Sequence, residues 1–267
     1  MFDINVLNES LTELKKTGSI LTNCFFMLDK LKALSEKPES QLFWTTEFVM
    51  LLCKEEGFKR LYYWIKKPEN IPDICAIIKN EHNSIIIIEL IGKANDLSVI
   101  KKIFTDNGIR QYGRLSRYQA SELKTFSLNI EGFLYREISK ESIPLIPDLF
   151  QENFDKYISH LPTIEQLYDL QKEHLIYGAY DDKILVGVFC MEKVGRYGLY
   201  HYQTVLRKSY QNLGVGIELK SYAIKRNPTC RHWVTWVEDS NKRSIRLNKL
   251  LGFHEDGLKT EVLIWGK

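Results

Sequence analysis

The segment Gln211-Asn212-Leu213-Gly214-Val215-Gly216-Ile217 stands between a strand-like run, Tyr197 to Leu206, and a helical stretch through Leu219, Tyr222, Ala223 and Ile224 that stops at Asn227-Pro228. Two glycines at the entry to a helix let backbone approach a ligand with no Cβ in the way. The first turn of the helix adds unpaired N–H groups at the positive end of its dipole. Such a turn suits a pyrophosphate. Taken alone it is equally a tight turn, since Gly-x-Gly recurs by chance. A dinucleotide-binding G-x-G-x-x-G fits poorly, because its third glycine position holds Leu219 and no acidic residue follows on a second parallel strand.

Downstream, a strand from His232 to Val237 leads into Glu238-Asp239-Ser240-Asn241, then Ser244, Leu247, Asn248, Lys249, Leu250, Leu251, Gly252 and Phe253. Upstream, Gly132 to Ile138 reads as a strand and Ser142 to Ile158 as a helix. A second helix, Thr163 to Glu173, opens on a capping box formed by Thr163 and Gln166. Leu175–Tyr180 and Ile184–Lys193 flank a short polar turn and read as a hairpin. The order is two helices, an antiparallel meander, then a helix.

The two glycine-bearing segments together resemble the GNAT acetyltransferase family. Gln211, Gly214 and Gly216 match Q/R-x-x-G-x-G/A, while Asn241, Ser244, Gly252 and Phe253 match the later N-x-x-A…GF region at the family's spacing. The resemblance covers about 135 residues at the carboxy-terminal end. It implies an α/β (α+β) GNAT acyltransferase fold, with a mixed, mostly antiparallel central sheet flanked by helices. It also implies acetyl-CoA as co-substrate. Main-chain groups near Val205 and Leu206 would hold the pantetheine arm and the thioester carbonyl. The amides of Gln211, Asn212, Leu213, Gly214, Val215, Gly216 and Ile217 would cradle the pyrophosphate, with Asn241 and Ser244 beside the pantetheine or sulfur. An amine would attack the thioester directly, with nothing covalent formed on the enzyme.

One position departs from the family. Where many members carry a tyrosine as general acid, this chain has Asn248, which has no acidic proton to give. A thiol leaves with a reference pKa of about 8.5, so protonation matters less than for an alkoxide. Candidates for the base are Tyr200, His201 and Tyr202 on the preceding strand and Glu238 at the end of the next. The tyrosines read equally as sheet-packing aromatics, His201 as a sheet histidine and Glu238 as a solvated loop carboxylate. The departure keeps open a non-catalytic, acyl-CoA-binding sensor or scaffold. A further alternative takes the helical amino terminus as an interaction module and the other half as a dimerisation body.

The amino-terminal half has no counterpart of the glycine turn. Leu7, Leu11 and Leu14 recur at helical spacing, as do Phe25, Leu28, Leu31 and Leu34. A third helix is expected from a Thr45/Thr46 cap to Gly57. Leu61 to Ile65 and Ser84 to Ile91 read as strands, with a helix from Asp96 to Asn107 and a strand from Ile109 to Tyr118. This order suggests a helical and α/β domain, 1–125, that is a decayed copy of the same unit, with Lys54 to Phe58 loosely matching K-x-x-GF. The polar run Ser116 to Asn129 is the expected boundary before the second domain, 130–267. A second half of this kind is expected to wall the acceptor cleft.

Composition bounds the rest. With 37 basic against 34 acidic residues the net charge is +3 and the signs alternate, so a nucleic-acid-binding surface is not expected. The apolar run Ile85–Ile88 is far short of the roughly 20 residues a spanning helix needs. Cys24, Cys53, Cys75, Cys190 and Cys230 form no C-x-x-C pair and read as reduced core thiols of a cytoplasmic protein. Histidines 82, 160, 174, 201, 232 and 254 show no ligand spacing, so no metal is expected. The partners anticipated are a small-molecule or peptide amine acceptor and no nucleic acid or membrane, in a monomer or homodimer.

Overall fold

The computed structural model describes residues 2–16, 18–25, 28–81 and 84–266, so His82 lies outside the described residues. In chain order the first elements are α1 (Ile4–Lys16), β1 (Leu21–Thr22), α2 (Leu28–Glu36), β2 (Gln41–Trp44), β3 (Phe48–Glu55) and β4 (Phe58–Ile65). After these come α3 (Ile71–Asn80), β5 (Ile86–Lys93), α4 (Ala94–Asp106) and β6 (Arg110–Ala120). The remainder is β7 (Phe133–Glu137), α5 (Ile146–Gln151), α6 (Ile164–Lys172), β8 (Ile176–Asp181), β9 (Ile184–Val194), β10 (Gly198–Leu206), α7 (Val215–Arg226), β11 (His232–Glu238), α8 (Lys242–Leu251) and β12 (His254–Trp265).

The chain forms two compact units, one of residues 1–114 with 257–267 and the other of 115–256. The division therefore falls inside β6 and inside β12, where the sequence suggested a single boundary near 125–130. The polar run 116–129 continues β6 and then lies along helices of the second unit. Its amides are satisfied there: Lys124 N–H by the Leu251 carbonyl, Phe126 N–H by Ser221 Oγ and Leu128 N–H by Glu218 Oε1. Those bonds explain a polar composition without a flexible linker.

In the first unit the strands follow the order β2-β3-β4-β5-β12. Phe48 to Cys53 is buried without a break, because the strand is covered on both faces. Phe48, Met50 and Leu52 enter one core with α3 and α4, while Val49, Leu51 and Cys53 enter another with Leu7, Leu11 and Leu14 of α1. The helix expected from Thr45 to Gly57 is thus strand β3 with the turns at its two ends. A continuous apolar run has no period to distinguish a doubly buried strand from a helix. Thr45, read as a helix cap, closes the β2–β3 turn instead, its hydroxyl accepting from the N–H groups of Glu47 and Phe48 at 3.1 and 3.2 Å. Gly57 lies in the β3–β4 hairpin, so Lys54–Phe58 is not the K-x-x-GF element.

The second unit orders its strands β6-β11-β10-β9-β8-β7, with β10 and β11 parallel and the other pairs antiparallel. The capping box at α6 forms as expected. The helix anticipated over Ser142–Ile158 is shortened to a 3-10 turn, Lys140–Leu145, and α5, since Pro144 and Pro147 break the α-helical bonding. Among the described residues no helix is long and apolar enough to cross a membrane, and no disulfide joins the cysteines, four of which are buried.

Candidate active site

The site begins where two parallel strands part. β10 pairs with β11 only at Gly198, Leu199 and Tyr200, opposite His232, Trp233 and Val234. From there β10 runs on to Leu206 paired with β9 alone, with a register shift between His201 and Gln203. At the fork Thr235 Oγ1 donates to the His201 carbonyl at 3.1 Å. Arg207 N–H bonds to the Val186 carbonyl of β9, and main-chain direction alternates along an antiparallel ladder. Gln203 and Val205 therefore point their peptide groups at β9, and Thr204 and Leu206 point theirs into the fork. The Leu206 carbonyl accepts from Gln211 Nε2 at 3.1 Å. An extended ligand running along β10 would meet the N–H and C=O of Thr204 and the N–H of Leu206, in the manner of an added strand.

The glycine turn lies directly beyond that edge. Asn212 and Gly214 have φ of 67° and 85°, and Gly214 caps α7 from the left-handed region without offering a side chain. That conformation favours glycine, and a Cβ there would also have to displace the terminal methyls of Leu128 and Ile130, 2.8 and 2.9 Å away. At Gly216 a Cβ would press on Leu206 at 3.2 Å. Val215 is fully buried and anchors the first turn, while Asn212 and Leu213 are exposed and Ile217 half-buried. Gln211 ties the turn together: Nε2 also reaches Asn153 Oδ1 at 3.3 Å, and Oε1 accepts from Arg243 Nη1 at 2.8 Å. Arg207 and Lys208 stand just before the helix start in sequence and Arg243 is bonded to Gln211, which adds basic side chains to the positive end of the helix dipole.

α8 starts on Asn241, whose Oδ1 accepts from Ser244 N–H at 3.0 Å. Asn241 is thus a helix cap, and Ser244 Oγ receives Nδ2 of Asn248 at 3.3 Å. Asn248 is buried, and its Oδ1 takes a hydrogen bond from Lys220 Nζ at 3.1 Å. Lys220 projects from α7 and lies over the Phe189 ring at 5.5 Å. His201 shares this interior. Its ring packs edge-on against Phe189, Trp233 and Phe253 at 4.7, 5.2 and 5.1 Å, and neither ring nitrogen has a partner. Burial, and then the charge of Lys220, push its pKa well down, so the imidazole is neutral.

The other base candidates lie elsewhere. Tyr200 and Tyr202 are half-buried with ring centroids 5.5 Å apart, on the opposite side of β10 from His201 by strand alternation. Glu238 ends β11 four residues past the last parallel pair and accepts from Ser240 Oγ at 2.5 Å. Sequence reasoning missed Lys220, Thr204, Thr235 and Arg243. Lys220 follows Leu219 on the buried side of α7, and a charged residue beside an apolar stripe was the one available signal.

The first unit repeats the same geometry with the opening sealed. β4 and β5 run parallel for three residues, Lys59–Leu61 opposite Ile86–Ile88, as β10 and β11 do. The helices that follow end alike: Ile109 N–H bonds to the Phe104 carbonyl as Phe253 N–H bonds to that of Asn248, with Gly108 and Gly252 left-handed. Beyond the fork, however, β4 is occupied by the chain itself. β1 pairs with Ile65 and Trp64, Thr22 Oγ1 donates to the Tyr63 carbonyl, and Asn23 bonds to both Leu61 O and Tyr63 N–H at 2.9 and 2.7 Å. The helix entry is Lys66-Lys67-Pro68-Glu69-Asn70, with no glycine. Each unit also takes its last strand from the segment after the other's final helix, β12 against β5 and β6 against β11.

Comparison with known proteins agrees with this geometry. The sequence model of the Acetyltransferase (GNAT) family matches residues 143–253. No curated protein matches the chain in sequence. In fold it is similar to a GCN5-related N-acetyltransferase from Sphaerobacter thermophilus, at 11% identity and a TM-score of 0.63, over 90% of this chain and 86% of that one. A GCN5-related N-acetyltransferase from Kribbella flavida gives 12% identity and 0.61, over 89% and 93%. A tandem GNAT protein from the clavulanic acid biosynthesis pathway gives 14% and 0.62, over 99% and 96%. The fork, the glycine turn and the matched segment agree: residues 143–253 form a domain of the GNAT acetyltransferase family, set within a chain that has the fold of a tandem GNAT protein.

Proposed function

We propose that the second unit transfers an acetyl or other short acyl group from acyl-CoA to a primary amine of a small molecule or peptide, in the cytoplasm, and that the first unit binds no CoA. The observation that carries this reading is the open edge of β10 from Gln203 to Leu206, leading straight to the Gly214 turn. A linear amide-bearing arm and a pyrophosphate need those two features in that order. Thr204 and Leu206 would hold the arm, the first-turn amides of α7 the pyrophosphate, and the groups around Gln211 and Arg243 its flank. The chain's contribution to rate is then orientation and fixed dipoles at the thioester carbonyl. A neutral amine needs no strong base, so Tyr200, Tyr202 and Glu238 serve as groups that receive or orient it.

Calorimetric titration of acetyl-CoA into the protein and into Gly214→Trp tests this. Micromolar binding by the wild type and none by the variant supports the site; no binding by the wild type sinks it. A second reading, a non-catalytic acyl-CoA sensor or scaffold, is favoured by Asn248 standing where the family's tyrosine would be. Thiol release with any of a panel of amines excludes that reading.

A further inference from the structure

We propose that the ammonium of Lys220, held by Asn248 beside the fork of β10 and β11, supplies the proton and the positive charge that a departing CoA thiolate requires. This rests on the acyl-CoA reading of the second unit. It fills the gap left by Asn248, whose short amide carries no acidic proton but whose Oδ1 fixes an ammonium 3.1 Å beyond it.

The first unit is an internal control. At the position of Asn248 it has Phe104, identified by the same backbone bond from the N–H five residues on. Phe104 is fully buried, 6.0 Å from the Tyr63 ring, in a core with Ile74, Cys75 and Ile78. In the first unit apolar residues fill this space. In the second unit the same space holds a lysine 3% exposed, an asparagine 1% exposed and a histidine 2% exposed with both nitrogens unpartnered. Burying such groups costs several kcal/mol in general, and a cost retained in one copy and absent from the other points to use.

The charge environment suits the task. Burial lowers the Lys220 ammonium to about 8, beside a thiol reference of about 8.5, and matched donors transfer protons efficiently. Of the ionisable groups on elements packed against α7, His201 of β10 is neutral and Cys190 of β9 is held protonated by burial. Tyr177 of β8 is bonded to His174 O and Asn227. Tyr135 of β7 is bonded to Glu218, which turns its carboxylate there and to Leu128 N–H.

The step balances without another reactant. A neutral amine nitrogen forms a bond to the acyl carbon as the carbon–sulfur bond breaks. The sulfur keeps the bonding pair and takes a proton from Lys220 Nζ, leaving a neutral lysine. The acylated nitrogen loses its extra proton to solvent, and Lys220 regains one from water once the thiol leaves.

The test needs no acceptor. Coenzyme A with its free thiol is bound to the protein and titrated with pH, following thiolate ultraviolet absorbance, in wild type, Lys220→Met and Lys220→Gln. The bound thiol is expected to ionise about one pH unit lower in wild type than in either variant. Acetyl-CoA, whose sulfur carries no proton, should bind all three within about threefold. A wild-type thiol that ionises at or above the value of CoA in solution overturns the proposal even if neither variant folds, and so do equal values in wild type and variants. Either result leaves the transferase reading standing. Failure of the wild type to bind CoA at all removes that reading instead.

Discussion

The Thr235 hydroxyl donates to the main-chain oxygen of His201 at 3.1 Å, at the point where β11 leaves β10. Beyond Tyr200 the parallel ladder has ended, so this side chain satisfies a carbonyl that β11 no longer reaches. Both residues are buried. Thr235→Val keeps the shape and removes the donor, which leaves the carbonyl unsatisfied at a cost of about 1–3 kcal/mol. We expect a lower midpoint in urea unfolding, and acetyl-CoA affinity reduced about tenfold if the bond also fixes the width of the fork. Unchanged stability would show that β11 closes onto β10 without it.

Gly214→Ala asks less of the turn than a tryptophan does. At φ of 85° an alanine is strained by about 1–2 kcal/mol, and its methyl meets Leu128 and Ile130 at under 3 Å. Those contacts are flexible side-chain ends that give way, so the protein should still fold. The amides of Val215 and Gly216 should then shift from the anion. Titration should show acetyl-CoA binding weakened at least about tenfold, with a loss of about 1–2 kcal/mol in unfolding free energy. Full affinity would mean that the turn is not the anion site.

Asn23 predicts the stoichiometry. Its side chain satisfies both Leu61 O and Tyr63 N–H on the edge of β4 that corresponds to the open edge of β10. With that edge filled, calorimetry should give one acetyl-CoA per chain. Asn23→Ala uncovers two buried backbone groups, costing about 2–4 kcal/mol, and the added instability should appear as a lower midpoint in urea. A second equivalent of acetyl-CoA bound by the wild type would overturn the assignment of the first unit as sealed.

The glycine turn and the Asn241–Phe253 segment were legible in the sequence because they are local. A left-handed glycine, a cap at Asn241 and a stop at Gly252 are spelled by neighbouring residues. The hairpin at Phe48 was not, since a strand covered on both faces loses its alternation. The seal of β4 by Asn23 joins residues about forty apart, and the exchange of β6 and β12 joins residues more than a hundred apart. No periodicity carries such pairings. Lys220 escaped for a different reason: one charged residue in a helix normally lies on its solvated face, and only the packing of α7 against β9 turns this one inward.

That inward lysine gives stability a particular pH dependence. Its ammonium pKa falls from an ordinary 10.5 to about 8 in the folded chain, because burial disfavours the charge. Below pH 8 both states hold the proton and the full desolvation penalty stands. Between pH 8 and 10.5 the unfolded chain binds a proton that the folded chain does not, so this group's contribution to stability rises with pH, by an amount on the order of 3 kcal/mol. The buried tyrosines Tyr62 and Tyr63 act in the opposite sense, since their raised pKa values cost stability once unfolded phenols begin to ionise above about pH 10. Comparing Lys220→Met with the wild type across this range isolates the lysine. The variant should be the more stable protein at pH 7, by about 1–2 kcal/mol after the loss of the Asn248 bond, and its advantage should shrink as pH approaches 10. A variant less stable than the wild type at pH 7, or an advantage that does not vary with pH, would mean that water reaches the Lys220 ammonium in the folded protein.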